Sequence, residues 1–213
     1  RHPSAGPVRS DHVTALDELL TLATDAARRA GDLLREGLDR PRTAVSTKSS
    51  PTDMVSEMDR AAEALLVDAL LGARPDDGMV GEEGTDRDGS TGVRWIVDPL
   101  DGTTNYLFRL PGFAVSIAAE VDGELAVGVV YDVVHDELFA AVRGGGATLN
   151  GRPIRASSAA ELPGALVATG FGYDAARRRA QAQVLVQVLP QVRDVRRFGA
   201  ASVDLCLVAC GRV

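Results

Sequence analysis

The sequence has no long apolar run, few cysteines and no excess of positive charge. No window of about 18 uncharged apolar residues occurs in its 213 residues, which excludes an ordinary membrane-spanning helix. The first residues lack the pattern of a signal peptide, so we expect a cytoplasmic protein that does not interact with membranes. With 30 acidic against 23 basic residues, the net charge of −7 argues against a general nucleic-acid-binding protein. A small anionic substrate would therefore need a locally positive site.

Cysteine is nearly absent, since Cys206 and Cys210 are the only two. Their spacing places them one turn apart on one face of a predicted helix. A zinc site would need further thiol or imidazole ligands nearby, and the segment offers none. We expect two buried, reduced thiols that pack as small apolar side chains.

Apolar periodicity predicts two helices in the first third of the chain. Residues 1–10 are polar with two prolines and are predicted to form a flexible tail. From residue 11, apolar residues recur every three or four positions, which predicts an amphipathic helix capped by Ser10 or Asp11. A second helix is predicted from Ser56 to about Pro75. We assign residues 11–213 to a single domain.

The middle of the chain alternates apolar runs with turn dipeptides, which is typical of antiparallel strands. Asp122-Gly123 and Asn150-Gly151 each separate two such runs, so residues 112–156 are predicted to form hairpins of one sheet. A helix, a short strand and another helix follow. This order favours an α+β fold over a doubly wound parallel sheet.

The stretch WIVDPLDGTTNY, residues 95–106, carries the first chemical signal. Residues 93–97 read as a buried strand, which Pro99 is predicted to end. Asp98 and Asp101 follow within four residues, and two close carboxylates are costly to bury without positive charge between them. A metal ion is the obvious candidate for that charge.

Acidic residues form two further clusters earlier in the chain. Asp53 and Asp59 lie in KSSPTDMVSEMD, and Glu82 lies in GEEGT; no histidine occurs in these clusters. Oxygen-only ligands suit magnesium, which proteins hold through a few carboxylates together with water and substrate phosphate. The plain alternative for each acid alone is a solvated surface charge. Glu82 and Asp98 directly follow strand-like residues, which favours a shared rim.

Four motifs together carry a family resemblance: KSSPTDMVSEMD, GEEGT, WIVDPLDGTTNY and RRFGAASVDLCLVACG. The chain resembles the inositol monophosphatase family of magnesium-dependent, lithium-sensitive phosphatases. The resemblance runs from about Asp11 to Val213 and keeps the order and spacing of the family's motifs. It implies a layered αβαβα sugar-phosphatase-like fold and a homodimer. Family members continue into a tryptophan-aspartate pair that supplies another metal ligand, so we expect the C-terminal part of the family fold to be missing here.

The resemblance also assigns roles by position. It implies that magnesium is bound by the side chains of Glu82, Asp98 and Asp101 and by the carbonyl of Leu100. It implies catalytic roles for Asp59, Thr103 and Glu82, with Asp59 and Thr103 orienting or deprotonating the attacking water. It implies substrate contacts at Gly102, Thr103, Gly199 and Ala200. Lys48 and Asp53 match a loop that helps to place a further magnesium ion.

The implied reaction is hydrolysis of inositol-1-phosphate or a similar sugar-alcohol phosphate by metal-activated water. Histidinol phosphate, fructose bisphosphate or a 3′-phosphonucleotide are alternative substrates of the same fold. A non-catalytic binding protein that retains the fold is the alternative from another class. The arginines at 177–179 and 196–197 could attract phosphate, but we expect a solvated helix face and a strand end.

Overall fold

The computed structural model describes residues 8–39, 46–47, 54–55, 57–158 and 161–213. The helices are α1 (Val8–Gly37), α2 (Glu57–Ala73), α3 (Thr103–Leu107), α4 (Ala175–Val188) and α5 (Ala201–Ala209). The first strands are β1 (Ser46–Thr47), β2 (Met54–Val55), β3 (Gly78–Gly81), β4 (Asp86–Arg87), β5 (Val93–Asp101) and β6 (Ala114–Val121). The later strands are β7 (Glu124–Asp132), β8 (Glu137–Val142), β9 (Gly146–Leu149), β10 (Arg152–Pro153), β11 (Leu166–Ala168) and β12 (Asp194–Arg196). In these segments no helix is long and apolar enough to cross a membrane.

One eight-stranded sheet organises the molecule, in the order β10-β9-β8-β7-β6-β5-β3-β4. Its pairs are antiparallel except β3 with β5, which run parallel. Two small sheets pair β1 with β2 and, in parallel, β11 with β12. The mixed sheet with segregated helices confirms the predicted α+β class.

Helices α1 and α2 cover one face of the sheet. Both carry an apolar stripe at helical spacing, which includes Leu34 on α1 and Leu66 on α2, both fully buried. They pack with Trp95, Val97 and other alternate strand residues in one continuous core. The opposite face carries α5, since Ala114 packs with Ala200, Val203 and Leu207 in a second, smaller cluster. The sheet therefore separates two helical layers.

The two predicted hairpin turns are confirmed. Asp122 and Gly123 have φ of 53° and 83°, and Asn150 and Gly151 have φ of 47° and 76°. Positive φ at both central residues is the geometry of a tight hairpin whose twist matches that of its strands.

Two sequence expectations about element ends were wrong. Strand β5 does not stop before Pro99 but continues to Asp101 through a register shift. Proline is tolerated there because a residue in a bulge need not donate a ladder hydrogen bond. Helix α1 already begins at Val8, so residues 8–10, predicted as tail, are helical. Residues 1–7 and the predicted cap Ser56 lie outside the described residues.

Candidate functional site

The end of β5 carries two of the predicted acids on either side of a bulge. Asp98 pairs with Ser116 of β6, whereas Asp101 pairs with Ala114, so the ladder slips around Pro99. The Oδ1 atom of Asp98 accepts a hydrogen bond from the Leu100 amide at 3.1 Å. The bulge thus places two carboxylates and the Leu100 carbonyl on one short, locally braced turn.

Glu82 emerges beside this turn because β3 runs parallel to β5. The register pairs Gly81 with Val97, and the Glu82 amide donates to the Val97 carbonyl at 3.0 Å. Glu82 and Asp98 are therefore the next residues on two adjacent parallel strands, at the same edge of the sheet. The backbone therefore places Glu82 and Asp98 at one shared rim, as expected from the sequence.

Glu63 of α2 fixes the loop that follows Glu82, and the sequence analysis missed it. This carboxylate is only 5% exposed, and its Oε2 accepts from the Glu83 amide at 2.7 Å. Its Oε1 accepts from the Thr85 amide at 3.0 Å and from the Thr85 hydroxyl at 2.7 Å. The available signal was the helical spacing of Glu63 from Leu66 and Leu70, three and seven positions later, which are also buried.

Asp59 and Thr103 meet at the start of α3. Asp59 is fully buried, and its Oδ1 lies 2.9 Å from the Thr103 hydroxyl, which also lies 3.1 Å from the Leu100 carbonyl oxygen. The structure thus brings together a buried carboxylate, a hydroxyl and a carbonyl that the sequence separates by up to 44 positions. The hydroxyl has one proton to donate and keeps lone pairs that can accept from a third group.

Gly102 and Ala200 are also brought together. Gly102 has φ of 95°, and a Cβ at this position would lie 2.6 Å from the Gly112 carbonyl oxygen and 3.3 Å from the Ala200 Cβ. Gly199 has φ of 102°, and its backbone lies against the Asn105 side chain. Only glycine fits at both places without strain. The predicted small residues therefore permit close approach of the α3 turn to the start of α5.

Asn105 joins the same two segments and had no assigned role in the sequence analysis. It is 6% exposed, and its Nδ2 lies 2.9 Å from the Pro111 carbonyl, 2.8 Å from that of Gly112 and 2.6 Å from that of Phe198. Four residues earlier, Asp101 Oδ2 accepts from the Ser202 amide of α5 at 2.6 Å. The DGTTN turn is thus bound to the start of α5 at two points.

Asp204, in the first turn of α5, is the electrostatically perturbed group of this region. Burial raises the pKa of its carboxyl from 3.8 to about 6; the negative charge of Asp101 adds to the rise and Arg197 opposes it. Its Oδ1 and the Ser202 hydroxyl are buried with no hydrogen-bond partner among the described residues. The start of α5 therefore lies beside two carboxylates, those of Asp101 and Asp204, and the unsatisfied Ser202 hydroxyl.

The donor set suits a hard cation in its chemistry, since Glu82, Asp98, Asp101 and the Leu100 carbonyl offer oxygen alone. Within the described ranges, however, no group of three or more His, Cys, Asp or Glu side chains lies close enough to hold a metal ion. Magnesium needs only one or two carboxylates beside water and phosphate, so this finding is compatible with a magnesium site. Lys48 and Asp53, which match the additional magnesium loop, lie outside the described residues.

A cavity of about 610 Å³ opens next to this region, beside Asn105 and Phe198. Its walls are mainly apolar and include Leu110, Leu166 and Leu207. None of the predicted catalytic, metal-binding or substrate-binding residues lines it. The cavity is therefore distinct from the site that the acids define.

The remaining sequence expectations concern surface and thiol groups. The arginines at 177–179 are exposed on α4, as predicted, and Arg196 ends β12, where it pairs with Asp194. Cys206 and Cys210 are free but half-buried rather than buried. Burial, and to a lesser extent Cys210, raises the pKa of the Cys206 thiol to about 12, which makes it a poor nucleophile.

Known proteins resemble this chain over almost its whole length. The family model described as "Inositol monophosphatase family" matches residues 15–213. "Nus factor SuhB" of Escherichia coli is 41% identical over 201 residues, covering 92% of this chain and 74% of that protein. "Inositol-1-monophosphatase" of Mycobacterium leprae is 44% identical over 179 residues, covering 80% and 62%.

The solved structures agree with the sequence comparisons. The crystal structure of the extragenic suppressor protein SuhB from Bartonella henselae superimposes with a TM-score of 0.87 at 39% identity. The superimposed part covers 92% of this chain and 76% of the Bartonella henselae chain. Because the family model spans the acid-bearing edge, the α3 turn and α5 alike, the chain belongs to the inositol monophosphatase family.

Proposed function

We propose that the chain is a magnesium-dependent phosphomonoesterase acting on inositol-1-phosphate or a similar small sugar-alcohol phosphate in the cytoplasm. Family membership supports phosphatase chemistry in general terms. The observation that carries the proposal is the contact between the buried Asp59 carboxylate and the Thr103 hydroxyl, beside the Leu100 carbonyl. A buried carboxylate aimed at a hydroxyl, at the edge where three more acids emerge, is suited to handling a water molecule.

Magnesium ions would be held by the carboxylates of Glu82, Asp98 and Asp101 and by the Leu100 carbonyl, with no more than two of these carboxylates on any one ion. Bound there, magnesium supplies positive charge for the phosphoryl oxygens and the leaving alkoxide and lowers the pKa of a bound water. The braced bulge limits the movement of Asp98 and Leu100, because the Asp98 carboxylate is already tied to the Leu100 amide.

Thr103 would pass a proton rather than act as nucleophile. Its hydroxyl donates to Asp59, so its lone pairs accept an O–H of the attacking water. As the water oxygen bonds to phosphorus, the water proton moves to Thr103 and the Thr103 proton moves to Asp59. The bond from phosphorus to the ester oxygen breaks, and the alkoxide leaves as the alcohol after gaining a proton from water. Glu82 would help to orient the same water.

The glycines and alanine near the α3 turn would receive the substrate. Gly102 and Thr103 would offer backbone amides to the phosphate, as amides at a helix start can. Glycine is needed at position 102 because a Cβ there would collide with the Gly112 carbonyl. Gly199 and Ala200 would face the sugar-alcohol ring, where small residues let hydroxyls approach the backbone.

Phosphate release from a panel of monoesters, with magnesium and with a chelator, tests the proposal. The panel contains inositol-1-phosphate, histidinol phosphate, fructose bisphosphate and a 3′-phosphonucleotide. We expect magnesium-dependent release, fastest with inositol-1-phosphate. A different preferred ester would change the substrate assignment, and no release from any ester by folded protein would reject the phosphatase function.

The family resemblance adds two proposals, lithium sensitivity and a homodimer. Millimolar lithium should slow turnover at saturating substrate, and light scattering should give twice the 22.4 kDa mass of the chain. Unchanged turnover, or a single-chain mass, would remove the corresponding proposal without affecting the other.

A non-catalytic binding role is the second candidate, because relatives at 41% identity are named Nus factor. The name belongs to those proteins, and the acidic net charge of −7 does not favour broad contact with nucleic acid. Folded protein that releases no phosphate but binds a transcription component in a purified system would favour this role.

A further inference from the structure

The carboxylate of Asp101 is held by a backbone group that lies 101 residues later in the chain. Its Oδ2 accepts from the Ser202 amide at 2.6 Å. A hydrogen bond from an amide to an ionised carboxylate is short and about twice as strong as a neutral one. This bond uses one lone pair of Oδ2 and restricts the rotation of the carboxylate, which favours Oδ1 as the oxygen for another partner.

Helix α5 needs the same bond. Its N-cap residue is Ala200, which has no side chain that can accept from the first amides of the helix. Ser202 is the second helical residue, so its amide has no acceptor within the helix. Asp101 supplies that acceptor from a different part of the chain. The end of β5 and the start of α5 therefore orient each other.

A second contact makes this orientation rigid. Asn105 binds the Phe198 carbonyl at 2.6 Å while it also binds the Pro111 and Gly112 carbonyls. The turn 101–105 and the segment 198–202 are thus joined at both ends. The start of α5 cannot slide past Asp101 without breaking the buried Asn105 contacts, and buried amide groups are costly to leave unsatisfied.

We propose that the backbone amide of Ser202 is a positioning group for magnesium binding, because it holds Oδ2 of Asp101 and so limits the orientations of the carboxylate that would bind the ion. This inference rests on the proposed function, in which Asp101 is a magnesium ligand. Partners that hold a ligand in place are worth about 10- to 100-fold in metal affinity in other metal sites. The contribution comes from the amide and not from the serine side chain, whose hydroxyl has no partner among the described residues.

Replacing one backbone atom tests the amide alone. Incorporating lactic acid at position 202 turns the N–H into an ester oxygen, and Ser202→Ala is the matched control with the same side chain and an intact N–H. Calorimetric titration with magnesium, at a temperature well below unfolding, should give a dissociation constant for the ester chain about 10- to 100-fold above that of Ser202→Ala. Ser202→Ala should stay within about twofold of the wild type, because it removes a buried hydroxyl that has no hydrogen-bond partner among the described residues.

The readout separates positioning from a merely structural cap. Loss of a cap lowers the melting temperature but leaves the magnesium affinity of the folded protein unchanged. Equal affinities of the ester chain and Ser202→Ala, with Asp101→Asn much weaker, would overturn this inference and leave the proposed function intact. Wild-type affinity in Asp101→Asn as well would instead reject the proposed metal site.

If the ester chain does not fold, the wild-type amide decides the question. Serine-selective ¹⁵N labelling gives the Ser202 resonance, which is the one that disappears in Ser202→Ala. We expect that resonance to move during a magnesium titration, with a midpoint equal to the calorimetric dissociation constant. A Ser202 resonance that stays in place while magnesium binds would refute the positioning role.

Discussion

The acid-bearing edge of the main sheet differs in burial from the later segment that comprises β11, α4 and β12. Near the edge, Asp59 and Leu66 are fully buried, and the carboxylates of Asp59 and Glu63 are hydrogen-bonded. In α4, by contrast, none of the 14 residues is buried, and Val184 and Val186 are 62% and 67% exposed. The small sheet whose strands flank α4 in the sequence consists of β11 and β12.

The difference shows where the rigidity of the candidate site comes from. Asp98, Asp101 and Thr103 are held by β5, by α2 and by the start of α5, whereas no hydrogen bond from α4 reaches them in the described part of the chain. Substitutions at the edge should therefore alter chemistry or stability, whereas those on α4 should alter neither. The predictions that follow test the residues near the edge, and one of them compares the edge directly with α4.

The largest effect is expected from Thr103→Ala. If the hydroxyl passes a proton between water and Asp59, its loss removes an interaction of the transition state, so kcat should fall about 10²- to 10⁴-fold with little change in KM. Steady-state kinetics on the preferred ester measures this. The matched control is Thr104→Ala, next in α3, which should stay within about threefold of the wild type. A small loss at Thr103 would reduce it to a residue of the helix start.

A core truncation compares the two layers directly. Leu66→Ala should cost about 2–5 kcal/mol of unfolding free energy, because it removes a fully buried side chain and leaves a cavity. Val186→Ala on α4 should cost less than about 0.5 kcal/mol, as for other exposed positions. Urea denaturation of both variants measures the difference. Similar costs would show that α4 is buried against something in solution.

Glu63→Gln should have an intermediate effect. The carboxylate accepts three hydrogen bonds from Glu83 and Thr85, and bonds to a charged acceptor contribute about 1.5–3 kcal/mol each in favourable cases. Glutamine keeps one acceptor oxygen, so we expect a net loss of about 1–3 kcal/mol by the same measure. Asp68→Asn, at an exposed position of the same helix, is the control. A neutral Glu63→Gln would mean that the loop after Glu82 is held by its backbone alone.

These residues also show what the sequence could predict. The hairpin turns and α5 were predictable because local chemistry decides them, and the DPLDGTTN motif indicated the site through family resemblance. Glu63 was missed because glutamate is usually exposed, although its spacing from the buried Leu66 and Leu70 placed it on the apolar face of α2. The role of the Ser202 amide left no trace in the sequence, since every residue except proline carries that donor. Pro99 was misread because a bulge removes the usual conflict between proline and a strand.

The smallest effect concerns Asp204, and it depends on pH. Its pKa is about 6 in the folded protein against the usual 3.8, so the folded state binds a proton more tightly than the unfolded chain. Well below pH 4 the group is protonated in both states and costs nothing. As pH rises from about 4 to 6, the unfolded chain loses this proton before the folded protein does, so stability falls, and above pH 6 the loss is complete. Asp204→Asn should therefore raise the melting temperature at pH 8 in the presence of a chelator, and the gain should vanish near pH 4.

Carboxyl ¹³C resonances would separate the two causes of this shift. Burial is the larger cause and the charge of Asp101 the smaller, so Asp101→Asn should lower the pKa of Asp204 but leave it above 3.8. A return to the ordinary value would mean that repulsion between the two carboxylates, rather than desolvation, dominates where α5 meets Asp101.

A melting temperature gain that is independent of pH would show instead that Asp204→Asn acts through packing or a new hydrogen bond, since only the removal of a titrating charge follows the pH window between 4 and 6.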